Sequence, residues 1–388
     1  MVYQQRMIIV GAGIIGLSTA YALLTQGMQR VTVLEQVSVD HRRGSSHGFS
    51  RLLRFEYGSD AFYSEMVHLS LQRWRILERT AGRTLYTPTG LLMLGTENDN
   101  VTRPSHSVLR GMGMPTERIS EAQCRQRFPQ FDTQGYDTLT FNSEAGVLHA
   151  STCLRTLKDL VTDLGGEICE SCRVHSIRSE GQHRPVRLSL SSGDELAADQ
   201  VVLATGGWVH NLLPDMHLPV RLTRQHLLFF AGLPSSTYST GTFPAFLADE
   251  LYGSPIHQGC NGWLKASSHN FGRTVGPDEE SAPDAHVIAQ ISGKLCKLLP
   301  ALRQAELVHV DSCMYDVTPD EDFILDRSPY DPRIIFATGM SGHAFKFGVL
   351  LGELLSSIVC DTKPGVPLER FRLARFAERE VQEAASVA

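Results

Sequence analysis

The chain opens with two short apolar runs separated by one helical stretch. Residues 7 to 10 form a continuous apolar run, which is typical of a buried strand. A helical pattern then extends to about Gln26, and Gly27 suits the position just after a helix C-terminus. Residues 31 to 34 form a second apolar run. The pattern therefore predicts a strand–helix–strand unit at the start of the protein.

Two later segments show an apolar strand that ends in a turn of small residues. Residues 195 to 213 contain Ala-Thr-Gly-Gly at 204–207, and residues 332 to 348 contain Ala-Thr-Gly at 337–339. Either turn alone is most simply a tight exit from a strand. The recurrence predicts further strands of the same sheet.

The rest of the chain alternates short β-like runs with polar turns. Several such runs lie between residues 165 and 205, and others lie between 219 and 311. A helix is expected from about Ala282 to Leu299, and the polar stretch from about Pro364 is expected to lie along the surface. Together these patterns predict a mixed α/β (α+β) protein.

Glycine spacing adds a chemical meaning to the first unit. Gly11, Gly13 and Gly16 follow the first strand as Gly-x-Gly-x-x-Gly, and Glu35 ends the second strand. The glycines permit a tight turn and close approach of a pyrophosphate, while the acid can accept ribose hydroxyls. The acid disfavours a 2′-phosphate, so FAD or NAD is preferred over NADP. The neighbouring residues predicted to contact the same nucleotide are Ile14, Ile15 and Gln36.

Composition excludes several other classes. The chain has 388 residues, of which 42% are hydrophobic and 20% charged, as in ordinary globular proteins. A net charge of -6 argues against a nucleic-acid partner, and no apolar run reaches the length of a membrane span. Eight cysteines do not form a disulfide framework in a chain this long. A cytoplasmic location is expected, since the final residues are not a peroxisomal Ser-Lys-Leu signal.

One cysteine pair has the spacing of a metal motif. Cys169 and Cys172 form a Cys-x-x-Cys, but zinc would need two further ligands at suitable spacing. None stands out, so we interpret the pair as ordinary strand residues and predict no metal.

The continuation of the chain separates FAD from NAD. An NAD domain would continue as a run of strand–helix repeats, whereas residues 41 to 58 form a basic loop rich in glycine and serine. The small-residue turns at 204–207 and 337–339 lie far downstream. This arrangement is typical of FAD enzymes whose nucleotide domain is assembled from separated segments.

The chain then resembles a known family over nearly its whole length. The matching stretches are GAGIIG with VLEQ, RGSSHGFSRLLRFEYG, FPAF, WLKASSH, SCMYDVTPDEDFILD and SGHAFKFG. They resemble the flavin amine oxidases that include monomeric sarcosine oxidase, N-methyltryptophan oxidase and L-pipecolate oxidase. The chain departs from the sarcosine and methyltryptophan oxidases at Ser46, at Ala344 and between residues 246 and 265. The substrate thus stays open among sarcosine, pipecolate, proline-like, N-methyl aromatic and sugar-modified amino acids.

The resemblance implies a fold and a reaction. The fold is a Rossmann-like FAD-binding domain of p-hydroxybenzoate hydroxylase type with a second, antiparallel-sheet domain. The FAD domain is expected to be discontinuous, over residues 1–80, 146–218 and 312–388, and the substrate domain to comprise 81–145 and 219–311. The implied reaction oxidises a secondary or cyclic amino acid to an imine, and O2 becomes H2O2. A monomer is expected.

The resemblance also implies roles for residues on the substrate side. Arg54 and Lys346 match the pair that binds the substrate carboxylate, for which an arginine fork and a lysine charge are suited. Both lie in apolar segments, where an unpaired cation would be costly. The other residues expected on this side are Tyr252, His269 and Tyr315. Structural roles remain open for His269 and Tyr315.

Further residues are expected to act on the cofactor and on O2. Lys265 matches the lysine that the family places near the reactive edge of the flavin for O2 activation, and Arg51 matches an arginine near the ring system. A structural salt bridge remains open for Arg51. A helix expected to begin at Gly342 would offer N–H groups to the flavin. The other expected FAD contacts are Arg43, Ser45, Ser46, Val174, Gly206, Gly339, His343 and Lys346.

One cysteine, Cys313, is expected to have a special role. Cys313 lies where the family links the 8-methyl carbon of the flavin to a cysteine, although most free cysteines are small core residues. It is expected at a strand end, and a nearby cation, for which Arg51 is the candidate, is expected to lower its thiol pKa. The resemblance thus implies FAD bound covalently through Cys313.

Two alternatives remain at this level. One is a dehydrogenase on the same fold that passes electrons to a quinone or carrier protein, against which Lys265 argues. The other is a flavin-binding protein without turnover, against which the presence of Arg54, Lys265 and Lys346 argues.

Overall fold

The computed structural model describes residues 4–181, 183–279 and 283–377. Its first layer is a six-stranded sheet that gathers strands from distant parts of the chain. All neighbouring strands pair in parallel except the outermost pair, which is antiparallel. Numbered by position in the chain, the strands in order across the sheet are β19 (Ile324–Arg327), β20 (Ile334–Thr338), β13 (Gln200–Leu203), β1 (Arg6–Val10), β2 (Arg30–Leu34) and β9 (Glu167–Cys169).

The predicted strand–helix–strand unit is confirmed. Helix α1 (Ile14–Thr25) joins β1 to β2, and Gly27 has a φ of 95° just after the helix ends. Strand β1 is apolar from Met7 to Val10 because both faces of the sheet are covered there. Met7 and Ile9 belong to the core on the helical side, whereas Ile8 and Val10 belong to the core on the opposite side.

Helices cover one face of the six-stranded sheet, and a small antiparallel sheet covers the other. Helix α1 packs against two other helices, α5 (Ala150–Asp163) and α9 (Gly348–Cys360). A Cβ at Gly352 would lie 2.4 Å from the backbone of Ser18, so this glycine allows α9 to approach α1 closely. The opposite face packs on the antiparallel strands β10 (Val174–Arg178), β11 (Val186–Leu190) and β12 (Glu195–Ala198).

The second layer is an eight-stranded sheet with its own apolar core. It is antiparallel except for one parallel pair, β15 with β5. Its strands in order are β18 (Glu306–Val317), β14 (Arg221–Ala231), β17 (Leu264–Ser268), β16 (Leu251–Ser254), β15 (Ala245–Ala248), β5 (Leu91–Gly95), β7 (Thr138–Asn142) and β6 (Thr116–Ile119).

Smaller elements complete the described part of the chain. A second three-stranded sheet contains β3 (Arg51–Leu53), β8 (Gly146–Leu148) and β4 (Tyr86–Thr87). The remaining α-helices are α2 (Ala61–Ala81), α3 (Thr102–Gly111), α4 (Glu121–Arg127), α6 (Val209–Leu212), α7 (Ser235–Tyr238) and α8 (Ala285–Leu298). The 3-10 helices are Gly206–Trp208, Pro214–Met216, Pro300–Arg303, Phe345–Phe347 and Glu369–Phe371.

Several expected boundaries differ from the structure. The helix expected from Gly342 begins only at Gly348, after a 3-10 turn, because Gly342 has a φ of 74°. The stretch from Pro364 was expected on the surface, but Val366, Leu368 and Phe371 are buried. The reason is that apolar residues spaced along a polar segment fill gaps in the core. Ala282, the expected start of the helix α8, lies outside the described residues.

The proposed division into two domains stays a prediction. The six-stranded sheet does take strands from each of the three segments expected for the FAD domain. Strand β18 runs through the expected limit at residues 311 and 312. This continuity matters for function because one strand reaches from the second layer to the edge of the first.

Candidate active site

A cavity of about 530 Å³ lies between the two layers. At one end it is lined by the carboxyl ends of β1, β2 and β13, where open α/β sheets place their ligands. At the other end it is lined by side chains of the eight-stranded sheet, among them Tyr252, Lys265 and Cys313. One continuous space therefore connects the glycine-rich turn to the residues expected to contact substrate.

The glycine-rich turn is shaped by close packing. Gly11 has a φ of 101°, and a Cβ there would lie 2.4 Å from the carbonyl oxygen of Ala204. A Cβ at Gly16 would lie 1.9 Å from the carbonyl oxygen of Gly11. Gly16 itself does not line the cavity, whereas Gly11, Gly13, Ile14 and Ile15 do. The third glycine thus lets helix α1 sit against the turn.

Glu35 sits beside this turn with its carboxylate held in place. It accepts hydrogen bonds from the backbone N–H of Ala12 (2.9 Å) and Val37 (3.1 Å), and His41 Nε2 lies 3.2 Å away. Burial acts to raise the pKa of Glu35, but the contacts with His41 and the two amides lower it overall. The carboxylate is therefore ionised at neutral pH, and both Glu35 and Gln36 line the cavity.

The Cys-x-x-Cys pair supports Glu35 through the backbone. The Glu35 N–H donates to the carbonyl of Cys169 (2.9 Å), and the Cys172 N–H donates to the carbonyl of Glu35 (2.7 Å). Cys169 ends strand β9 as expected, but the expectation that Cys172 is also a strand residue is wrong, because it lies in the connection between β9 and β10. In the described ranges, no group of three or more His, Cys, Asp or Glu side chains is placed to hold a metal ion. In that same part of the chain, no helix is long and apolar enough to cross a membrane.

The basic loop connects the two ends of the cavity. Ser46 Oγ accepts the N–H of Ile14 at the start of α1 (3.0 Å), and Ser45 Oγ donates to the carbonyl of Met314 on β18 (2.6 Å). Arg43 does not line the cavity; it pairs with Asp278 at 2.6 Å on the outside. Gly339 also lies outside the lining, whereas Val174, Gly206, Gly342 and His343 belong to it.

Arg51 and Lys265 form a fixed pair of cations around one carbonyl. Arg51 Nη1 donates to the carbonyl of Ser50 at 2.8 Å, and Lys265 Nζ donates to the same oxygen at 2.9 Å. Arg51 Nη2 also donates to the carbonyl of Ser45 at 2.8 Å. Burial, and then the Arg51 charge, lower the pKa of Lys265 to about 7, with Cys313 and Asp311 opposing. Arg51 is hydrogen-bonded to its own loop and has no carboxylate partner in the described residues.

Cys313 lines the cavity beside these cations. It lies within β18 opposite Gln225 of β14, four residues before the strand ends at Val317, so the expected position at a strand end is wrong. Burial raises the pKa of the Cys313 thiol, and Arg51 and Lys265 oppose that rise. The expected net lowering of the pKa is therefore wrong for the protein alone, because burial outweighs the two charges.

The rings of Tyr252, His269 and Tyr315 form a wall of the cavity near Arg51 and Lys265. The His269 ring lies 6.5 Å from that of Tyr252 and 5.7 Å from that of Tyr315, measured between centroids. Burial raises the pKa of both tyrosines, so both hydroxyls stay protonated. Burial, followed by the charges of Arg54 and Lys346, lowers the pKa of His269 to about 4. The wall is therefore uncharged at neutral pH.

Arg54 and Lys346 lie together at the same end. Arg54 donates to the carbonyl of Glu56, and its guanidinium lies 4.5 Å from the Tyr57 ring centroid. Lys346 Nζ donates to the carbonyl of His343 at 2.7 Å. Lys346 is only 4% exposed, and both cationic side chains line the cavity.

Helix α2 contributes a support that the sequence did not reveal. The Lys346 carbonyl lies in the 3-10 turn before α9 and accepts hydrogen bonds from Trp74 Nε1 (2.7 Å) and Ser70 Oγ. Trp74 is fully buried. More than 270 residues separate these partners in the chain, so no local pattern could have paired them.

Asp316 is a second residue that sequence reasoning missed. It lines the cavity, is 6% exposed, and accepts a hydrogen bond from Thr338 Oγ1 at 3.4 Å. Burial raises its pKa to about 6, and the nearby backbone amides of Met340 and Gly339 and the Thr338 hydroxyl limit the rise. In the sequence Asp316 begins a polar run, and nothing in that run indicates a buried position on β18.

The cavity fits an FAD molecule. Thr205 Oγ1 is buried at the lining and has no hydrogen-bond partner among the described residues, as expected for a hydroxyl that meets a ligand. The N-terminus of α1 suits a pyrophosphate, and Glu35 suits ribose hydroxyls. The residues that would hold the far end lie around Arg51, Cys313 and Gly342.

Comparisons with known proteins agree with this geometry. Residues 6–358 match the family described as DAO, FAD dependent oxidoreductase, and the chain belongs to this family. Mouse peroxisomal sarcosine oxidase is 34% identical, with 95% of this chain and 96% of that protein covered. The N-methyl-L-tryptophan oxidase of Yersinia pestis (strain Pestoides F) is 28% identical, covering 95% and 99%. The structure of L-proline dehydrogenase from P. horikoshii has a TM-score of 0.83 at 19% identity, covering 97% and 98%.

The predicted family, fold class and enzyme class are therefore confirmed. The protein is an FAD-dependent amine oxidase of mixed α/β fold.

Proposed function

We propose that the protein oxidises the C–N bond of a secondary or cyclic amino acid to an imine and reduces O2 to H2O2. The observation that carries this proposal is the meeting of Arg54 and Lys346 with the uncharged ring wall at one end of the cavity. The substrate class is that suggested by sarcosine and N-methyl-L-tryptophan, for which two relatives are named.

The two basic side chains, Arg54 and Lys346, provide recognition of a carboxylate. Arg54 is oriented by the Glu56 carbonyl and the Tyr57 ring, and Lys346 by the His343 carbonyl. Neither side chain forms an ion pair with a carboxylate in the described residues, so both remain available to an anionic ligand. A substrate carboxylate placed between them would fix the rest of the amino acid against the ring wall.

The ring wall suits an uncharged amine. The nitrogen lone pair must be free before the neighbouring carbon can lose hydride. His269 is neutral because its pKa is lowered to about 4 by burial and the nearby cations. Tyr252 and Tyr315 remain neutral hydroxyls. When bound, FAD supplies the two-electron acceptor for that hydride.

Lys265 is the residue that we propose for O2. Its Nζ is held by the Ser50 carbonyl, and the side chain is 6% exposed beside Arg51 and Cys313. A cation held in a dry site stabilises negative charge that develops on O2 more strongly than a solvated cation would.

Cys313 is the residue that we propose to bind FAD through a thioether. Its position in the cavity beside Arg51 and Lys265 supports this, since both charges favour the thiolate that would react. After acid precipitation the yellow colour should stay with the protein, and a Cys313 peptide should carry the mass of the flavin. Complete release of the colour from a fully loaded sample would contradict the linkage.

The function is tested by a panel of secondary amino acids scored for peroxide release and O2 consumption. Sarcosine, N-methyl-L-tryptophan, pipecolate and proline form the first set, with matched amines that lack the carboxylate as controls. Turnover with a dye acceptor but without O2 consumption would replace the oxidase by a dehydrogenase. Failure of every amine to bleach the flavin without O2 would leave only a flavin-binding role.

Three broader expectations remain proposals. We propose the two-domain division given by the sequence, a monomer, and a cytoplasmic location, although two relatives are named peroxisomal. Light scattering of the purified protein tests the monomer, and fractionation of source cells tests the location.

A further inference from the structure

An amino acid reaches any such pocket with an ammonium group and a carboxylate. The reaction requires the neutral amine, so the bound substrate must lose one proton to some acceptor. Solvent is a poor proton acceptor in a closed pocket. The candidates for accepting the proton are therefore the protein groups that face the substrate.

Lys346 has the surroundings of a neutral amine. Its Nζ donates to one carbonyl, that of His343, and lies 5.2 Å and 4.8 Å from the ring centroids of Tyr57 and Phe347. The side chain is 4% exposed and forms no ion pair among the described residues. A charged ammonium in such an apolar site, next to the Arg54 guanidinium, would be costly.

The Glu56 carboxylate, which acts on Lys346 through its charge, does not compensate for this cost. Glu56 is 2% exposed, and its two oxygens accept hydrogen bonds from Asn142 Nδ2 and the Phe55 N–H, both at 2.9 Å. Burial raises the pKa of Glu56. Burial and then Arg54 lower the pKa of Lys346 well below its usual range, and Glu56 opposes this only in part.

The other titratable groups facing this position are weaker acceptors. His343 is occupied on both ring nitrogens, by the Tyr57 hydroxyl and the Glu321 carbonyl. His269 is an imidazole, which is intrinsically a much weaker base than an alkyl amine. Tyr57, like the wall tyrosines, is a protonated hydroxyl because burial raises its pKa.

We propose that Lys346 accepts the proton that the substrate ammonium loses, and that it does so as the substrate carboxylate binds beside it. One N–H bond of the substrate breaks and one N–H bond forms on Nζ. The electron pair stays on the substrate nitrogen, and nothing is oxidised or reduced in this step. The carboxylate makes the transfer favourable because it provides the anionic partner that Lys346 lacks. This inference rests on the proposed function.

The test uses a ligand that has the carboxylate but no proton to give. Tetrahydropyran-2-carboxylate is such an analogue of pipecolate, so its binding to the loaded protein must draw a proton from solvent. Its Kd, measured from the flavin spectrum, should increase about tenfold per pH unit between roughly pH 7 and 10. In Lys346→Arg the side chain is always charged, so the Kd should become nearly independent of pH.

Two further variants make the result specific. Lys346→Met places an apolar side chain in the apolar site, and its Kd for the analogue should also lose the pH dependence. His269→Gln should retain it. A pH-independent Kd in the unmodified protein would overturn the inference while leaving the carboxylate site intact. Persistence of the slope in Lys346→Arg would assign the proton to another group. Absence of binding at every pH would instead contradict the proposed function.

Discussion

The two ends of the cavity are built in opposite ways. The nucleotide end is centred on the glycine-rich turn and the Glu35 carboxylate, both from residues 7 to 36, and segments near residues 45, 174 and 205 complete its lining. The substrate end draws side chains from segments near residues 51, 252, 265, 313 and 346. The centre of the nucleotide end is therefore local in sequence, and its shape is set by close packing. The substrate end is assembled entirely by the fold, and its character is electrostatic.

This difference teaches where substitutions should act. At the nucleotide end a change should affect packing and retention of the cofactor. At the substrate end the charges have little solvent around them, and the same size of change should affect catalysis with little effect on the fold.

Loss of Arg54 should have the largest effect. Arg54→Ala removes one charged partner of the substrate carboxylate, which costs about 2 to 5 kcal/mol, or roughly 30- to 5,000-fold in kcat/KM. Arg187→Ala, an exposed arginine paired with Glu195, is the matched control and should change little. An equal loss with an amine that lacks the carboxylate would show that Arg54 is structural.

Lys265→Met should have the second-largest effect, and it should act mainly on the half-reaction in which reduced enzyme reacts with O2. Removal of a preorganised charge slows a step by about 100- to 1,000-fold, here the reaction of reduced enzyme with O2. Flavin reduction by substrate should change far less, and the exposed Lys297→Met is the control. Equal slowing of both half-reactions in stopped-flow experiments would refute this role.

Lys265 should also make the rate of the reaction with O2 depend on pH. The pKa of Lys265 is lowered to about 7 by burial and by Arg51, so the side chain is charged below that pH and neutral above it. Reaction with O2 should therefore slow as pH rises through this range, and Lys265→Arg should remove the dependence because its charge persists.

At the nucleotide end, substitution of two glycines should have a smaller effect, and this effect should be on stability. Gly16→Ala would place a methyl group 1.9 Å from a backbone oxygen, which must shift at a cost of about 1 to 3 kcal/mol. Gly13→Ala should cost less, because its Cβ would lie 3.2 Å from Ser46 Oγ, which needs to shift by only a few tenths of an ångström. Thermal unfolding of the two loaded variants measures the difference; equal losses would remove the steric explanation.

The smallest effect is expected outside the cavity. Asp278 contacts Arg43 (2.6 Å), Arg173 (3.2 Å) and Trp208 Nε1 (3.0 Å), and so ties the second layer to the nucleotide end. These groups are about half exposed, so Asp278→Asn should lower stability by less than about 1 kcal/mol. Glu180→Gln, which loses a pair with Arg184, is the comparison. Faster loss of FAD in the Asp278 variant alone would show that this contact also closes the nucleotide end.

Much of the nucleotide end could be read from the sequence because its signal is local. Gly11, Gly16 and Glu35 stand at fixed offsets in one strand–helix–strand unit, and their spacing reflects the geometry of the turn itself. The family motifs extended the prediction to Lys265, Cys313 and Lys346. They did not predict the raised pKa of Cys313, because burial depends on everything that packs around the thiol.

The amino-acid sequence alone determined the strand–helix–strand unit and the class of cofactor, because periodicity and spacing encode local geometry. The cations were predicted from the resemblance to a family. Only the tertiary structure decided that Trp74 holds the carbonyl of Lys346, that Asp316 reaches the cavity, and that Lys265 and Arg51 share the Ser50 carbonyl. These contacts join residues far apart in the chain. Their electrostatic consequences depend on how completely the two layers exclude water, which no local pattern records.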